Sequence, residues 1–127
     1  SPFRLVQDID TCLEKIKEPD TDSVVTVTET EHSPYFIMGT ISSDDYWQYP
    51  LFKTDHPVTR RQDAPKVYQL NAGVYVIIKQ IIEDGNIFTP RTKAVVMPPE
   101  RSVHIDTEMD FKFAEFLLKE RHVKVDF

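Results

Sequence analysis

The chain has 127 residues, with 21 acidic and 15 basic side chains and a formal net charge of −6 at pH 7. Because 40% of the residues are hydrophobic and a chain of this size can bury roughly two-thirds of its unfolded surface, we expect one folded domain spanning residues 1–127. The acidic balance, without a run of Lys or Arg, argues against a protein that binds the nucleic-acid backbone. No apolar stretch is long enough to span a membrane, so we expect no membrane partner.

Glycine and cysteine usage excludes further classes. The three glycines, Gly39, Gly73 and Gly85, are far apart, whereas a Walker loop or a Rossmann fingerprint needs them clustered. The single cysteine, Cys12, cannot form an internal disulfide, which is consistent with a reducing, cytoplasmic location. The first residues, Ser1 and Pro2, read like the middle of a loop, and we expect a fragment of a longer protein.

The first half of the chain predicts a helix, two strands and a long irregular segment. The helix runs from a cap at Asp8 or Asp10 to about Glu18, because apolar residues recur there at helical spacing. Valines and threonines from Val24 to Val27 predict one strand, and Tyr35–Ile41 predicts another. Residues 42–66 lack periodicity and carry aromatic residues and prolines, which favours an excursion that contacts another protein.

The second half predicts alternating strands and helices. We expect a long central strand at Val67–Ile78, followed by a helical turn at Lys79–Asp84 that Gly85 stops. After these come a short buried strand at Ala94–Met97, a capped helix from Thr107 to about Arg121, and a small edge strand at 122–125. This alternation indicates an α/β sheet with helices on both faces. In such sheets, binding sites gather at the carboxyl ends of the strands.

The densest group of polar residues is the block from Arg101 to Asp110. His104 and Asp106 are two residues apart in an extended segment, so they share one face while Ile105 points into the core. A carboxylate and an imidazole at this spacing have the chemistry to hold a divalent cation. The alternative is structural: Asp106 caps the following helix, Asp110 complements the helix dipole, and His104 is a surface residue.

Three further segments are candidates for binding. Arg60–Asp63 offers two planar guanidinium groups for a carboxylate or phosphate, or else forms a solvated turn with Asp63 paired to an arginine. Gln69–Val76 combines Asn71 and Gly73, which permit an unusual backbone path into a strand. Asn86–Lys93 is a loop with one aromatic residue and two cations, and, taken alone, it is an ordinary surface loop.

Several blocks, in order along almost the whole chain, together resemble the acylneuraminate cytidylyltransferases, or CMP-sialic acid synthetases: Ser-Pro-Phe-Arg with Asp-Ile-Asp, Asp-Ser-Val-Val-Thr-Val-Thr-Glu, Arg-Arg-Gln-Asp-Ala-Pro, Leu-Asn-Ala-Gly-Val-Tyr-Val, Pro-Arg-Thr and Ser-Val-His-Ile-Asp-Thr-Glu-Met-Asp-Phe. The resemblance implies a nucleotidyltransferase with a mainly parallel sheet, flanking helices and a dimerisation arm at 42–66. It implies transfer of CMP from CTP to a nine-carbon keto sugar acid, with release of pyrophosphate and with Mg²⁺ as cofactor.

The same resemblance assigns site residues. The metal motif of the family is Asp-x-Asp; its second carboxylate falls on Asp106, and the first position is His104 here. Arg61 resembles the arginine that an exchanged arm presents to the sugar acid of the partner subunit, which makes it a catalytic and substrate-binding candidate. Asn71, Tyr75 and Phe88 resemble sugar-pocket residues, and Arg4 resembles a nucleotide-binding residue. The family commonly has Asn-Gly-Ala where this chain has Asn71-Ala72-Gly73.

The resemblance leaves several questions open. The family's glycine-containing phosphate loop is not among these residues, so we expect a C-terminal portion that is inactive alone and that associates as a homodimer or a larger assembly. The sugar acid is sialic-acid-like, or else pseudaminic, legionaminic or a keto-deoxy acid. A non-catalytic interaction or dimerisation module is the alternative from another class, and His104 in place of a carboxylate is its best support.

Overall fold

A computed structural model describes residues 2–56 and 58–126, which form two compact units. The first unit comprises the residues up to Thr28 and those from Gln69 onward, and the second comprises Glu29–Tyr68. The helices are α1 (Val6–Lys15), α2 (Lys79–Asp84) and α3 (Glu108–Lys119), and the strands are β1 (Ser23–Thr30), β2 (Thr40–Ile41), β3 (Trp47–Gln48), β4 (Val67–Ile77) and β5 (Thr92–Val96). Among these helices, none is both long and apolar enough to cross a membrane.

The main sheet has the strand order β4-β1-β5. Strands β1 and β5 are parallel, with a register that runs from Ser23 opposite Thr92 to Val27 opposite Val96. Strand β4 runs the other way, because the Ile78 amide donates to the Asp22 carbonyl oxygen while the Val74 amide donates to the Thr26 hydroxyl. The α/β class is therefore confirmed, but the sheet is mixed rather than mainly parallel.

The long strand β4 has the predicted extent but not the predicted place. Strand β1 is the central strand, with residues 23–28 all buried, and β4 has one neighbour among the described strands. The expectation of a fully covered β4 was wrong, since Tyr75 and Ile78 are exposed. Likewise, the segment around β5 is only partly buried: Met97 is in the interior, whereas Val96 is exposed.

The helices follow local signals closely. Helix α3 begins after Thr107, whose hydroxyl accepts a hydrogen bond from the Asp110 amide at 3.1 Å, as expected of a cap. Helix α2 ends at Gly85, which has a φ of +83°. Helix α1 begins earlier than predicted and ends at Lys15, before Glu18, because Asp8 lies in its first turn and accepts from the Leu5 amide at 2.8 Å.

Three local predictions were wrong. Tyr35–Ile41 is not a strand except at Thr40–Ile41, because the Ile37 amide donates to the Ser33 carbonyl oxygen and closes a turn. Residues 122–126 form no strand; instead, the Asp126 carboxylate accepts from the Val6 amide at 2.8 Å, at the start of α1. Ile105 does not point into the core, since it is 43% exposed.

Two groups of apolar side chains form the interior of the first unit. Phe3, Ala114, Leu117 and Val123 pack together at α3, with Val103 and Val125 beside them. Val24, Val25 and Val27 are buried in β1. Cys12 is fully buried, as expected, and this burial raises the pKa of its thiol.

The second unit contains the predicted 42–66 segment. Strands β2 and β3 form an antiparallel pair in which Thr40 lies opposite Gln48 and Ile41 opposite Trp47. The Trp47 and Tyr49 rings stack with their centroids 6.2 Å apart, and both are exposed, as is Phe52. This unit thus presents an aromatic surface of the kind expected of a contact with another protein.

Candidate functional site

The segment that follows β5 carries the strongest candidate residues. The chain leaves the carboxyl end of β5, makes a short turn of helix at Pro99–Arg101 and then runs through residues 102–107 to α3. His104 and Asp106 lie in this connection. Because β5 is parallel to β1, this is the edge at which the carboxyl ends of the two parallel strands meet, where sites in α/β sheets gather.

Asp106 presents its carboxylate to solvent from a fixed backbone. Its side chain is exposed and has no hydrogen-bond or ion-pair partner among residues 2–56 and 58–126. Its amide donates to Asp110 Oδ2 at 3.1 Å, and the Thr107 amide donates to the same oxygen at 3.1 Å. The capping role therefore belongs to Thr107 and Asp110, and the Asp106 carboxylate is available to a ligand.

Hydrogen bonds from its neighbours favour the ionised form of Asp110. Its pKa is below the ordinary value, first because the Asp106 amide donates to it, then because Thr107 does, with the charge of His104 as a smaller cause. His104 itself is half-buried.

The side chains at this edge fit one mode of magnesium binding. No group of three or more His, Cys, Asp or Glu side chains suited to a metal occurs in the described part of the chain. Mg²⁺, however, is commonly held by one or two carboxylates together with substrate phosphates and water. The unpaired carboxylate of Asp106 matches that arrangement, and His104 is a poorer ligand for a hard cation.

Asn71 is the centre of a buried network that joins β4, β1 and the segment after β5. Its side chain is fully buried. The Oδ1 atom accepts from the Thr26 hydroxyl at 2.6 Å and from the Gly73 amide at 3.0 Å, while Nδ2 donates to Ser102 Oγ at 3.0 Å and to Met97 Sδ at 3.3 Å. All four hydrogen-bonding positions of the amide are thus occupied within the protein. Its expected contact with a sugar stays a prediction and requires one of these bonds to open.

The two residues after Asn71 have different backbone and packing requirements. Ala72 has a φ of +53°, in the left-handed region that glycine adopts more easily. At Gly73, an added Cβ would lie 2.9 Å from Thr26 Oγ1 and 3.0 Å from Met97 Sδ, so this position requires glycine for close packing. Arg4 Nη1 donates to the Gly73 carbonyl oxygen at 2.6 Å, which places the nucleotide-binding candidate beside the network.

The aromatic candidates are exposed, and one of them, Phe88, lies at the opposite end of β5 from Asp106. Tyr75 and Phe88 are 43% and 47% exposed. Phe88 lies in the loop before β5, whereas Asp106 follows the other end of that strand, and five strand residues span about 15 Å. Within one chain, the structure does not bring Phe88 and Asp106 together.

Near Phe88, Asp22 anchors the loop. Thr89 Oγ1 donates to Asp22 Oδ2 at 2.8 Å, and Arg91 Nε donates to the same oxygen at 3.2 Å. The Thr89 hydroxyl, followed by Arg91, holds the pKa of Asp22 below its usual value. The carboxylate therefore fixes the loop that carries the exposed Phe88 ring.

Arg61 lies in the second unit and lines a cavity of about 490 Å³. Glu29, Glu31 and Lys66 also line this cavity, so both signs of charge surround it. Arg61 Nη1 lies 3.6 Å from Glu31 Oε2, and both side chains are well exposed. Asp63 pairs with Arg60 at 2.9 Å and not with Arg61. This is the pairing of Asp63 with one arginine that the solvated-turn alternative predicts. Arg61 is thus weakly held and open to an external carboxylate.

Sequence reasoning missed the residues that support the site. Ser102 and Thr26 hold Asn71, and Arg101 forms a two-point ion pair with Asp8, with distances of 2.8 and 3.3 Å. These partners are 31, 45 and 93 residues apart in the chain, so no local spacing indicates them. The sequence offers one signal, which is that a polar side chain such as Asn71 needs hydrogen-bond partners if it is buried. That requirement does not identify which residues the partners are.

Comparison with known proteins supports the resemblance found in the sequence. The chain is 30% identical over 132 aligned positions to an N-acylneuraminate cytidylyltransferase of Streptococcus agalactiae, covering 98% of the chain and 31% of that protein. It is 30% identical over 96 positions to a CMP-N,N'-diacetyllegionaminic acid synthase of Campylobacter jejuni, covering 75% of the chain and 39% of that protein. It is 26% identical over 125 positions to a post-translational flagellin modification protein B of Campylobacter coli, covering 98% of the chain and 52% of that protein.

The expected family resemblance is therefore confirmed: the chain is a relative of the acylneuraminate cytidylyltransferases. No family model matches it. The chain spans between about a third and a half of the length of the curated relatives that it matches.

Proposed function

We propose that this chain supplies the sugar-acid and metal side of a cytidylyltransferase that transfers CMP from CTP to a sialic-acid-like keto sugar acid. The similarity to enzymes of that name along 98% of the chain supports the proposal most strongly. The exposed, unpaired carboxylate of Asp106 at the carboxyl edge of the sheet supplies the matching chemistry.

The proposed reaction forms one bond and breaks another at the α-phosphorus of CTP. The anomeric hydroxyl oxygen of the sugar acid bonds to the α-phosphorus and loses its proton to solvent, and the bond to the bridging oxygen of the β-phosphate breaks, so that pyrophosphate leaves. When bound, Mg²⁺ neutralises phosphate charge. Asp106 would hold that ion, and His104 would contribute at most through water.

Arg61, Arg4 and the aromatic side chains have proposed binding roles. A guanidinium group donates two parallel hydrogen bonds to a carboxylate, so the exposed Arg61 would bind the acid group of the sugar. By the family likeness, that sugar would lie in the site of a partner subunit. Arg4 would lie at the nucleotide side. The exposed rings of Tyr75 and Phe88 would contact the body of the sugar, and the amide of Asn71 would do so only after one of its internal hydrogen bonds opens. The aromatic surface around Trp47 supports a homodimer that uses the 42–66 arm.

The identity of the acid is tested by pyrophosphate release with CTP and Mg²⁺. The protein in its natural full length is assayed with N-acetylneuraminate, legionaminic acid, pseudaminic acid and a shorter keto-deoxy acid. We expect turnover with one of the nine-carbon acids and none from the 127-residue chain alone, since that chain has no glycine-rich phosphate loop. Turnover with none of the acids would contradict the proposal.

A non-catalytic module is the second candidate, favoured by His104 at the position of a carboxylate. Calorimetric titration of the full-length protein with CTP and with Mg²⁺ separates the two functions. Binding of both ligands supports the enzyme, and binding of neither supports the module. If His104→Asp creates turnover in an otherwise inactive protein, the chain derives from an enzyme that has lost its activity.

A further inference from the structure

Asp106 lies four residues from each of two fixed points in the chain. On the amino-terminal side, Ser102 Oγ accepts from Asn71 Nδ2 at 3.0 Å and donates to the Pro98 carbonyl oxygen at 2.8 Å. On the carboxyl-terminal side, Asp110 Oδ2 accepts from the Asp106 amide at 3.1 Å. The exposed carboxylate is thus carried by a short segment that is tied to the protein at both ends.

The Ser102 attachment is rigid because it belongs to the Asn71 network. Ser102 is buried, and Asn71 is fully buried and bonded in turn to Thr26 in β1 and to Gly73 in β4. A buried polar network in which each member is paired holds one geometry strongly. The position of the segment from 102 to 106 is therefore set by the central strand of the sheet.

We infer that Ser102 is a positioning residue for Asp106, through its hydrogen bonds to Asn71 and Pro98. The inference rests on the proposed role of Asp106 in holding a divalent cation. Removing the hydroxyl leaves Asn71 Nδ2 without one acceptor and leaves the Pro98 carbonyl oxygen with the Arg101 amide as its remaining donor. The segment then samples more positions, and the carboxylate spends less time in the one that binds the ion.

Manganese binding to the chain tests this without any assay of activity. The isotope-labelled protein in its natural full length is titrated with Mn²⁺ in the presence of CTP, whose phosphates supply further ligands, and paramagnetic broadening of the backbone amide signals of residues 104–107 gives the affinity at Asp106. We expect Ser102→Ala to weaken Mn²⁺ binding about tenfold, the usual cost of losing an outer partner of a metal ligand. Ser102→Thr keeps the hydroxyl and should retain the affinity of the unmodified chain.

Ser23 provides a matched control. Its buried hydroxyl donates to the Ile87 carbonyl oxygen at 2.7 Å and bonds Thr92 Oγ1 at 2.8 Å, at the other end of β1. Ser23→Ala should therefore lower stability and leave Mn²⁺ affinity unchanged. Hydrogen exchange of the Asp106 amide, which donates to Asp110 Oδ2, should rise about tenfold in Ser102→Ala, as expected for the loss of one buried hydrogen bond, and not in Ser23→Ala.

The outcomes separate this inference from the proposed function. Broadening around Asp106 with equal affinity in Ser102→Ala and the unmodified chain would overturn the positioning role alone. Equal weakening by Ser23→Ala would also overturn it, because the effect would then be general destabilisation. If the unmodified chain shows no broadening at residues 104–107, the magnesium role of Asp106 is contradicted, and the inference falls with it.

Discussion

The Arg101 guanidinium donates two hydrogen bonds to the Asp8 carboxylate, from Nη2 to Oδ1 at 2.8 Å and from Nε to Oδ2 at 3.3 Å. This pair joins helix α1 to the segment that leads to Asp106. Asp8 is buried and also accepts from the Leu5 amide. One carboxylate therefore closes the first turn of a helix and fixes a turn that lies 93 residues later in the chain.

Removing this carboxylate should destabilise the first unit strongly. We expect Asp8→Ala to lower the free energy of unfolding by about 2–4 kcal/mol, because a buried ion pair loses one partner. Urea unfolding followed by circular dichroism measures this value. Asp10→Ala, at an exposed position of the same helix, should change it by less than about 0.5 kcal/mol. Equal effects of the two substitutions would show that the Arg101 pair contributes nothing specific.

The adjacent residues Ala72 and Gly73 should respond in opposite ways to exchange of alanine and glycine. Gly73→Ala should lower the free energy of unfolding by about 1–3 kcal/mol, because its Cβ would press on Thr26 and Met97. Ala72→Gly relieves a positive φ and should cost less than about 0.5 kcal/mol, or stabilise the protein. Thermal unfolding of both variants checks the pair. A Gly73→Ala variant as stable as the parent would show that the close packing around Gly73 is wrong.

Thr28 carries the one buried side-chain oxygen in the described residues without a hydrogen-bond partner. Thr28→Val keeps the shape and removes the unsatisfied hydroxyl, so we expect it to raise the free energy of unfolding by about 1 kcal/mol. Thr26→Val on the same strand should lower it by about 1–3 kcal/mol, since the Thr26 hydroxyl bonds both Asn71 and the Val74 amide. Urea midpoints distinguish the two. Loss of stability in Thr28→Val would show that its hydroxyl has a partner in solution.

Asp22 should make stability depend on pH in the acid range. Its pKa in the folded protein is lowered, first by the Thr89 hydroxyl and then by Arg91, so its contribution is present above the unfolded pKa of about 4. That contribution is lost as the pH falls through the lower, folded pKa. Asp22→Asn should therefore be less stable than the parent at pH 7, with the difference shrinking below pH of about 4. Urea unfolding at several pH values measures it, and a difference that stays constant would contradict the assignment.

Local signals in the sequence were sufficient for some elements and not for others. Helix α3 and the end of α2 follow from a cap at Thr107 and a left-handed Gly85, which are properties of neighbouring residues. The expected strand at Tyr35–Ile41 failed because the turn closed by Ser33 overrides the β-branched composition. Strand β4 was predicted within one residue, but its place at an edge and its direction depend on pairing with β1, which local composition does not specify.

The candidate site divides in the same way. The exposed Asp106 and the cap that follows it were accessible from spacing and from the family resemblance. The ties that hold them were not, because Asn71 reaches Thr26 and Ser102 across tens of residues of sequence. A side chain that resembles a ligand-binding residue, as Asn71 does, can therefore have its hydrogen bonds committed within the fold.

The magnesium dependence of pyrophosphate release by the full-length protein, measured for the parent and for Asp106→Asn, tests the central claim most directly. We expect Asp106→Asn to lower turnover at least about a hundredfold, because the carboxylate that holds the ion is lost. Asp110→Asn removes the negative charge but keeps a side-chain oxygen that can accept from the Asp106 amide, so this capping control should retain most of the turnover at temperatures where it stays folded. Full turnover and an unchanged magnesium dependence in Asp106→Asn would contradict the claim that this carboxylate serves the transfer.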